Sequence, residues 1–224
     1  MPVMVRIWDA PTRLFHWVLV FCFVGLITTA KIGGSAMVWH FRLGYCVLTL
    51  LLFRLVWGFV GGYWSRFGAF LFRPIQVLDY LRGRGDSMHS VGHNPLGAGS
   101  VFAMLGFLAL QVTSGLMSDD EIAAAGPLSR HLPTAIVRSA SFYHKEIGQL
   151  ALLALVALHL CAIGFYFFRK HDNLVRPMLT GDKLLSSIAP SASDTALERI
   201  KAVIIAVLCG ACVTAWVAWL DQGA

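Results

Sequence analysis

The sequence predicts an all-α membrane protein: four core transmembrane helices in a bundle, a fifth C-terminal transmembrane helix, and a cytoplasmic N-terminus. Three observations lead there. Of 224 residues, 57% are hydrophobic and only 13% charged, about half the charge expected of a soluble domain. Five apolar stretches reach or approach the roughly 20 residues that cross a hydrocarbon core. The basic residues behind the formal charge of +6 cluster in short connectors instead of forming one broad face, which signals membrane orientation. This balance excludes a nucleic-acid binder, a disordered chain and a secreted disulfide scaffold, and it argues against a soluble enzyme. Residues 1–224 read as a single membrane domain, with a core over about 6–183 and a C-terminal helix over about 196–221.

The first stretch runs from Leu14 to Ala30. It carries Phe15, His16 and Trp17 at its head, which suits a retained span better than a cleaved signal peptide. The second, Val38 to Val60, is interrupted by Arg54. In the connector that follows, Arg73 to Leu81 has the apolar spacing of a short helix lying on the cytoplasmic surface. Asn94-Pro95 then reads as a helix start, with Asn capping and Pro in the first turn. The third span is Leu96 to Met117, apolar except for residues such as Gln111 and Thr113. An outer connector opens with Asp119, Asp120 and Glu121 before the fourth span, Ile147 to Phe168. The fifth is Ala202 to Leu220, with Trp216 and Trp219 as interfacial anchors, and Asp221 to Ala224 end outside. With the N-terminus inside, twelve Lys and Arg fall on the cytoplasmic side against five outside. Cys22, Cys46, Cys161, Cys209 and Cys212 all lie within apolar runs. They make no disulfide framework, no C-x-x-C-H motif is present, and Cys209 and Cys212 read as small-residue packing.

Four of the eight histidines carry the functional signal. His89, His93, His131 and His171 fall in connectors, whereas His16, His40, His144 and His159 lie in or at the ends of spans. Ionisable groups at such depths are costly and mark function. The alternating direction of the spans puts His16 and His159 toward the cytoplasmic face and His40 and His144 toward the outer face. His144 and His159 are 15 residues apart, about 22 Å along a helix and offset by about 60°, so one side of the helix carries both. Two facing imidazoles suit the axial positions of haem iron. Zinc would want three or four clustered ligands, and copper a grouped Met or Cys.

Other residues fit the same reading. His40 and Gly44, like His144 and Gly148, form H-x-x-x-G, in which the glycine lets a flat macrocycle approach the backbone. Arg54 lies 14 residues from His40, within about 40° of the same face, and would meet a propionate of the inner haem. Arg13, Arg42 and Lys145 stand beside the ligands and are further propionate candidates.

These residues also resemble a known family. Trp8-Asp9-Ala10-Pro11-Thr12-Arg13-Leu14-Phe15-His16-Trp17 is similar to the opening of the bacterial cytochrome b561 family, related to the cytochrome b subunits of nickel-iron hydrogenases. The similarity continues through His40 to Tyr45, Phe53 to Gly58 and Gly92 to Gly97, then His144, His159 and the Asn173 to Lys183 region. The resemblance implies two non-covalent b-type haems on His16, His40, His144 and His159, in a multi-pass protein of the bacterial inner membrane. It implies electron transfer between the quinone pool, ubiquinone or menaquinone, and a redox partner outside the cytoplasm. His93 matches the family without being a ligand, which leaves it a structural role at the head of the third span.

The expected function is therefore a di-haem electron-transfer cytochrome whose partners are membrane lipid, quinone and a periplasmic redox protein. That protein could be a c-type cytochrome, a hydrogenase or a dehydrogenase. A superoxide-oxidising quinone reductase of the same fold is an alternative. A non-redox transporter lined by histidines is another, although it would call for polar, broken helices at mid-membrane.

Overall fold

The computed structural model describes residues 3–84, 91–122, 124–185 and 188–222. His89, assigned above to a connector, lies outside the described residues, as do Gly223 and Ala224. Among the described residues, five helical segments are long and apolar enough to cross a membrane. Helix α1 (Ala10–Ile32) starts where Asp9 caps it, its Oδ1 accepting the Thr12 N–H at 2.8 Å. Gly33 and Gly34, with φ of 67° and 53°, take the left-handed turn into α2 (Met37–Val60). Helix α3 (Pro74–Leu81) is the short helix expected from Arg73 to Leu81. Helix α4 (Pro95–Met117) has Asn94 as its cap, Oδ1 accepting the Gly97 N–H at 2.8 Å.

The fourth span departs from expectation. Helix α5 (Thr134–Phe142) runs through a π-helical turn, Tyr143–Gly148, directly into α6 (Gln149–Arg169). Helical structure therefore begins well before Ile147, because the polar run Thr134 to Ser141 forms a lead-in that composition alone reads as a loop. Helix α7 (Val175–Thr180) is short, and α8 (Ala196–Gln222) begins before the expected Ala202. A two-stranded antiparallel pair was not anticipated: β1 (Val3–Arg6) lies against β2 (Asp182–Leu185), Val3 opposite Leu185 and Arg6 opposite Asp182.

The chain divides into two compact units, each assembled from three separate segments. The first comprises residues 1–16, 54–103 and 156–204. Its core is Val5, Ile7, Trp8, Trp64, Val91, Ala189 and Ala192, and the Trp64 indole donates to the Pro190 carbonyl at 2.7 Å. Asp9 is wholly buried here yet saturated with donors. Besides Thr12, it accepts from the Gly62 N–H at 3.0 Å, the Ser65 hydroxyl at 2.9 Å and the Trp57 indole at 3.3 Å. Such a set lets a carboxylate survive burial. Asp194 ties the approach to α8 to the strands: it accepts from Arg6 Nη1 at 2.7 Å, Arg199 Nε at 3.0 Å and the Ala10 N–H at 3.2 Å.

The second unit comprises residues 17–53, 104–155 and 205–224. Cys22, Val47, Leu108 and Leu152 form its buried centre, one each from α1, α2, α4 and α6. Helix α8 closes on α2 where a Cβ at Gly210 would meet Thr49 at 3.7 Å. The cysteines are free, Cys22 and Cys46 included, with their sulfurs 3.6 Å apart.

Candidate functional site

The second unit brings His40 and His144 together, with their rings nearly perpendicular. Their ring centroids are 6.2 Å apart and their planes cross at 86°. Behind each ring stands a main-chain carbonyl. His40 Nδ1 lies 3.1 Å from the Leu26 oxygen on α1, and His144 Nδ1 lies 2.9 Å from the Gln111 oxygen on α4. A carbonyl can only accept, so both Nδ1 atoms carry the proton and both Nε2 lone pairs are left for a ligand. This is the arrangement by which proteins orient metal-binding histidines. An imidazole nitrogen sits about 2 Å from a bound metal, and its ring centroid about 1 Å further back. Two rings on opposite axial positions of one metal should therefore have centroids about 6 Å apart. The observed separation matches.

The surroundings of this pair are fitted to it. A Cβ at Gly115 would come within 2.7 Å of His144 Cε1, so α4 carries glycine where the ring passes. At Gly44 an added Cβ would meet nothing within 4 Å, leaving the backbone beside His40 open to a flat group. Gly148 departs from the macrocycle role expected of it. Its missing side chain makes room for the Gln111 carboxamide and the Tyr143 ring, so here the glycine serves helix packing.

In the first unit His16 and His159, both partly buried, are close enough to interact electrostatically. Arg54 is 4% exposed, so it does not snorkel to water. Its guanidinium lies over the Phe67 ring at 4.7 Å and the Phe70 ring at 6.0 Å. Nη1 is buried with no hydrogen-bond partner among the described residues. His93 sits between Trp8 and Phe70, with centroids 4.6 and 4.7 Å away, and its buried Nδ1 also lacks a partner there. Burial, the Arg54 charge and His159 hold His93 well below the ordinary imidazole range, so it stays neutral. A cation and an imidazole nitrogen, both unsatisfied among aromatic rings, fit the carboxylate of a propionate-bearing group. Among the described residues no three His, Cys, Asp or Glu side chains gather to hold a metal. The span histidines instead come in twos, a number that suits axial ligands.

Residues 7–181 match the family described as prokaryotic cytochrome b561. The chain belongs to that family. It is 24% identical to the probable Ni/Fe-hydrogenase B-type cytochrome subunit of Bradyrhizobium diazoefficiens, over 80% of this chain and 85% of that protein. It is also 24% identical to the probable Ni/Fe-hydrogenase 1 B-type cytochrome subunit of Escherichia coli K12, over 49% of this chain and 57% of that one. The chain thus spans little more than half the length of the Escherichia coli relative. No solved structure matches it significantly. Family and helices together make it a multi-pass membrane b-type cytochrome.

Three charged candidates of this cytochrome occupy different settings from Arg54. Arg13 donates through Nη1 to the Leu179 carbonyl at 2.5 Å and has Nη2 3.8 Å from Asp194, which engages it in the connector before α8. Arg42 is exposed and stacks on Trp39 at 4.9 Å. Lys145 is exposed beside Asp119, Asp120, Arg138 and Glu146 along an open groove. Of the four cations, Arg54 is the buried one with a hydrogen-bonding nitrogen left without a partner among the described residues. Sequence reasoning overlooked the role of Asp9, whose partners are distant in sequence, and, although it noticed Gln111 as polar, the contact of Gln111 and Gly115 with His144.

Proposed function

We propose that this cytochrome holds two non-covalent b haems, one on His16 and His159 and one on His40 and His144. On this reading it passes electrons between the membrane quinone pool and a redox protein on the outer side of a bacterial inner membrane. Bound haem supplies an iron centre that exchanges one electron at a time. The chain would supply four imidazoles, those of His40 and His144 with the tautomer fixed by a carbonyl, a cation in Arg54 for a propionate, and apolar helices that keep water away. The observation that carries the reading is the His40–His144 pair, with the spacing of axial ligands and a carbonyl locked behind each ring. The names of the two relatives support a hydrogenase as the outer partner.

The test is a pyridine-haem assay with redox titration of the purified protein. Two acid-acetone-extractable haems per chain are expected. His16→Ala and His159→Ala should injure one component, and His40→Ala and His144→Ala the other. A single haem per chain, or loss of the same component from His16→Ala and His40→Ala, would overturn the pairing. Reduction of both haems by hydrogen, in membranes that also contain a co-purifying hydrogenase, tests the partner.

A further inference from the structure

Gln111 is the one polar residue of α4 that reaches His144 by two routes. Its own carbonyl accepts the His144 Nδ1–H at 2.9 Å, and its side-chain Nε2 donates to the His144 main-chain oxygen, also at 2.9 Å. The second bond lands inside the π-helical turn Tyr143–Gly148. There the backbone has left the i+4 register, and π-turns of this kind recur at functional sites. Ser114 supports the first route, its hydroxyl donating to the same Gln111 carbonyl at 3.0 Å. The rest of the carboxamide fills the space above Gly148, where a Cβ would strike Oε1. A glutamine in an apolar span is costly, and of the two hydrogen bonds that join it to His144 the one from Nε2 is the one that depends on the side chain.

We propose that Gln111 is the positioning residue of the His144 ligand. It pins the π-turn from which the imidazole projects and thereby sets the angle that ring makes with His40. The inference rests on the reading of His144 as an axial ligand. Without the carboxamide the turn relaxes, the ring rotates, and the iron sees a different pair of ligand planes. Near-perpendicular axial imidazoles leave two iron d orbitals close in energy and give a large maximal g value in the oxidised state. Rotation toward parallel separates those orbitals and lowers that value.

Three variants test this by low-temperature electron paramagnetic resonance and redox titration of the holoprotein. Gln111→Met keeps the bulk and removes the amide. Gly148→Ala keeps the amide and displaces it. Each should lower the maximal g value and shift the midpoint of the haem that His144→Ala removes, leaving the other haem as in the parent. The double variant should add nothing beyond either single change, since both act through one bond. If His144→Ala removes a haem while Gln111→Met and Gly148→Ala leave its g value and midpoint unmoved, Gln111 is only packing and the positioning role falls, with the ligand reading intact. Lower thermal stability alone would likewise be the mark of packing. If His144→Ala retains both haems, the ligand reading falls and this inference falls with it.

Discussion

Held from behind by main-chain carbonyls, the His40 and His144 rings stand at 86° to one another. On the proposed assignment, a haem held by this pair should therefore show a large-g, strongly anisotropic low-spin signal when oxidised. Electron paramagnetic resonance at helium temperature checks this, and a rhombic spectrum from that haem would contradict the ring geometry. Arg54 makes the second prediction at this scale. A buried cation beside a propionate favours the reduced iron over the oxidised one and so raises the midpoint. Arg54→Leu should lower the potential of the His16–His159 haem by roughly 50–100 mV, the effect of a unit charge about 8–15 Å away at an effective dielectric near 20. Arg54→Lys should retain part of the potential, since the charge remains but the planar fork does not. An unchanged midpoint in the Leu variant would remove Arg54 from the propionate role. The four histidines and Arg54 are conspicuous in the sequence because polar groups inside apolar runs stand out, and the proposed site is built on them. Gln111 stood out equally, but its purpose depends on a backbone irregularity that composition does not encode.

Among the elements, α3 and α4 were legible from local chemistry. Proline at a first turn, an Asn cap and an apolar stripe need no distant partner to act. Asn94 does more than cap, since its Nδ2 donates to the Tyr166 hydroxyl at 2.7 Å, which in turn bonds Tyr80 on α3 at 2.7 Å. Asn94→Ala should cost about 1–3 kcal/mol, the sum of a cap and a hydrogen bond. A lower midpoint for thermal loss of the Soret band would register it, and an unshifted midpoint would deny Asn94 both roles. The β1–β2 clasp was invisible because its partners are remote in sequence and each strand is only four residues long. Its ion pairs carry a pH signature. The hydrogen bond from Arg6 holds Asp182 below the usual carboxylate range. Burial pushes Asp194 up, but hydrogen bonds from Arg199, the Ala10 N–H and Arg6, with the Arg199 charge, leave it lowered too. A lowered folded value means stability that is present above an unfolded pKa of about 4 and is lost as pH falls through the folded values. Melting scans from neutral pH to pH 3 should show that loss, and Asp194→Asn should flatten it. Equal slopes in parent and variant would exclude the clasp as its source.

For the molecule as a whole, five spans would place the two ends on opposite faces, and the excess of positive residues on one side is what the proposal of a cytoplasmic N-terminus rests on. A single exposed cysteine introduced at Arg130 in a cysteine-free background should react with a membrane-impermeant maleimide in intact cells. One at Arg84 should react only after lysis, and the reverse pattern would invert the topology. The first three spans were read to within a few residues, because the bilayer imposes a length and a polarity that any sequence must satisfy, whereas the fourth and fifth helices start well before the apolar runs that mark them. The division into two interleaved units was not readable, since each unit draws on three distant segments.

The clasp between Val3–Arg6 and Asp182–Leu185 has a consequence for biogenesis. A ribosome adding 5–20 residues each second needs about 9–35 s to travel from Arg6 to Asp182. Throughout that interval β1 has no partner strand, and His16 waits almost as long for His159. Four residues make too short an edge to recruit a stray strand efficiently, which keeps the waiting chain safe from mispairing. Closure of the clasp thus comes after the translation of both histidine pairs, which makes it a late seal on the nascent cytochrome.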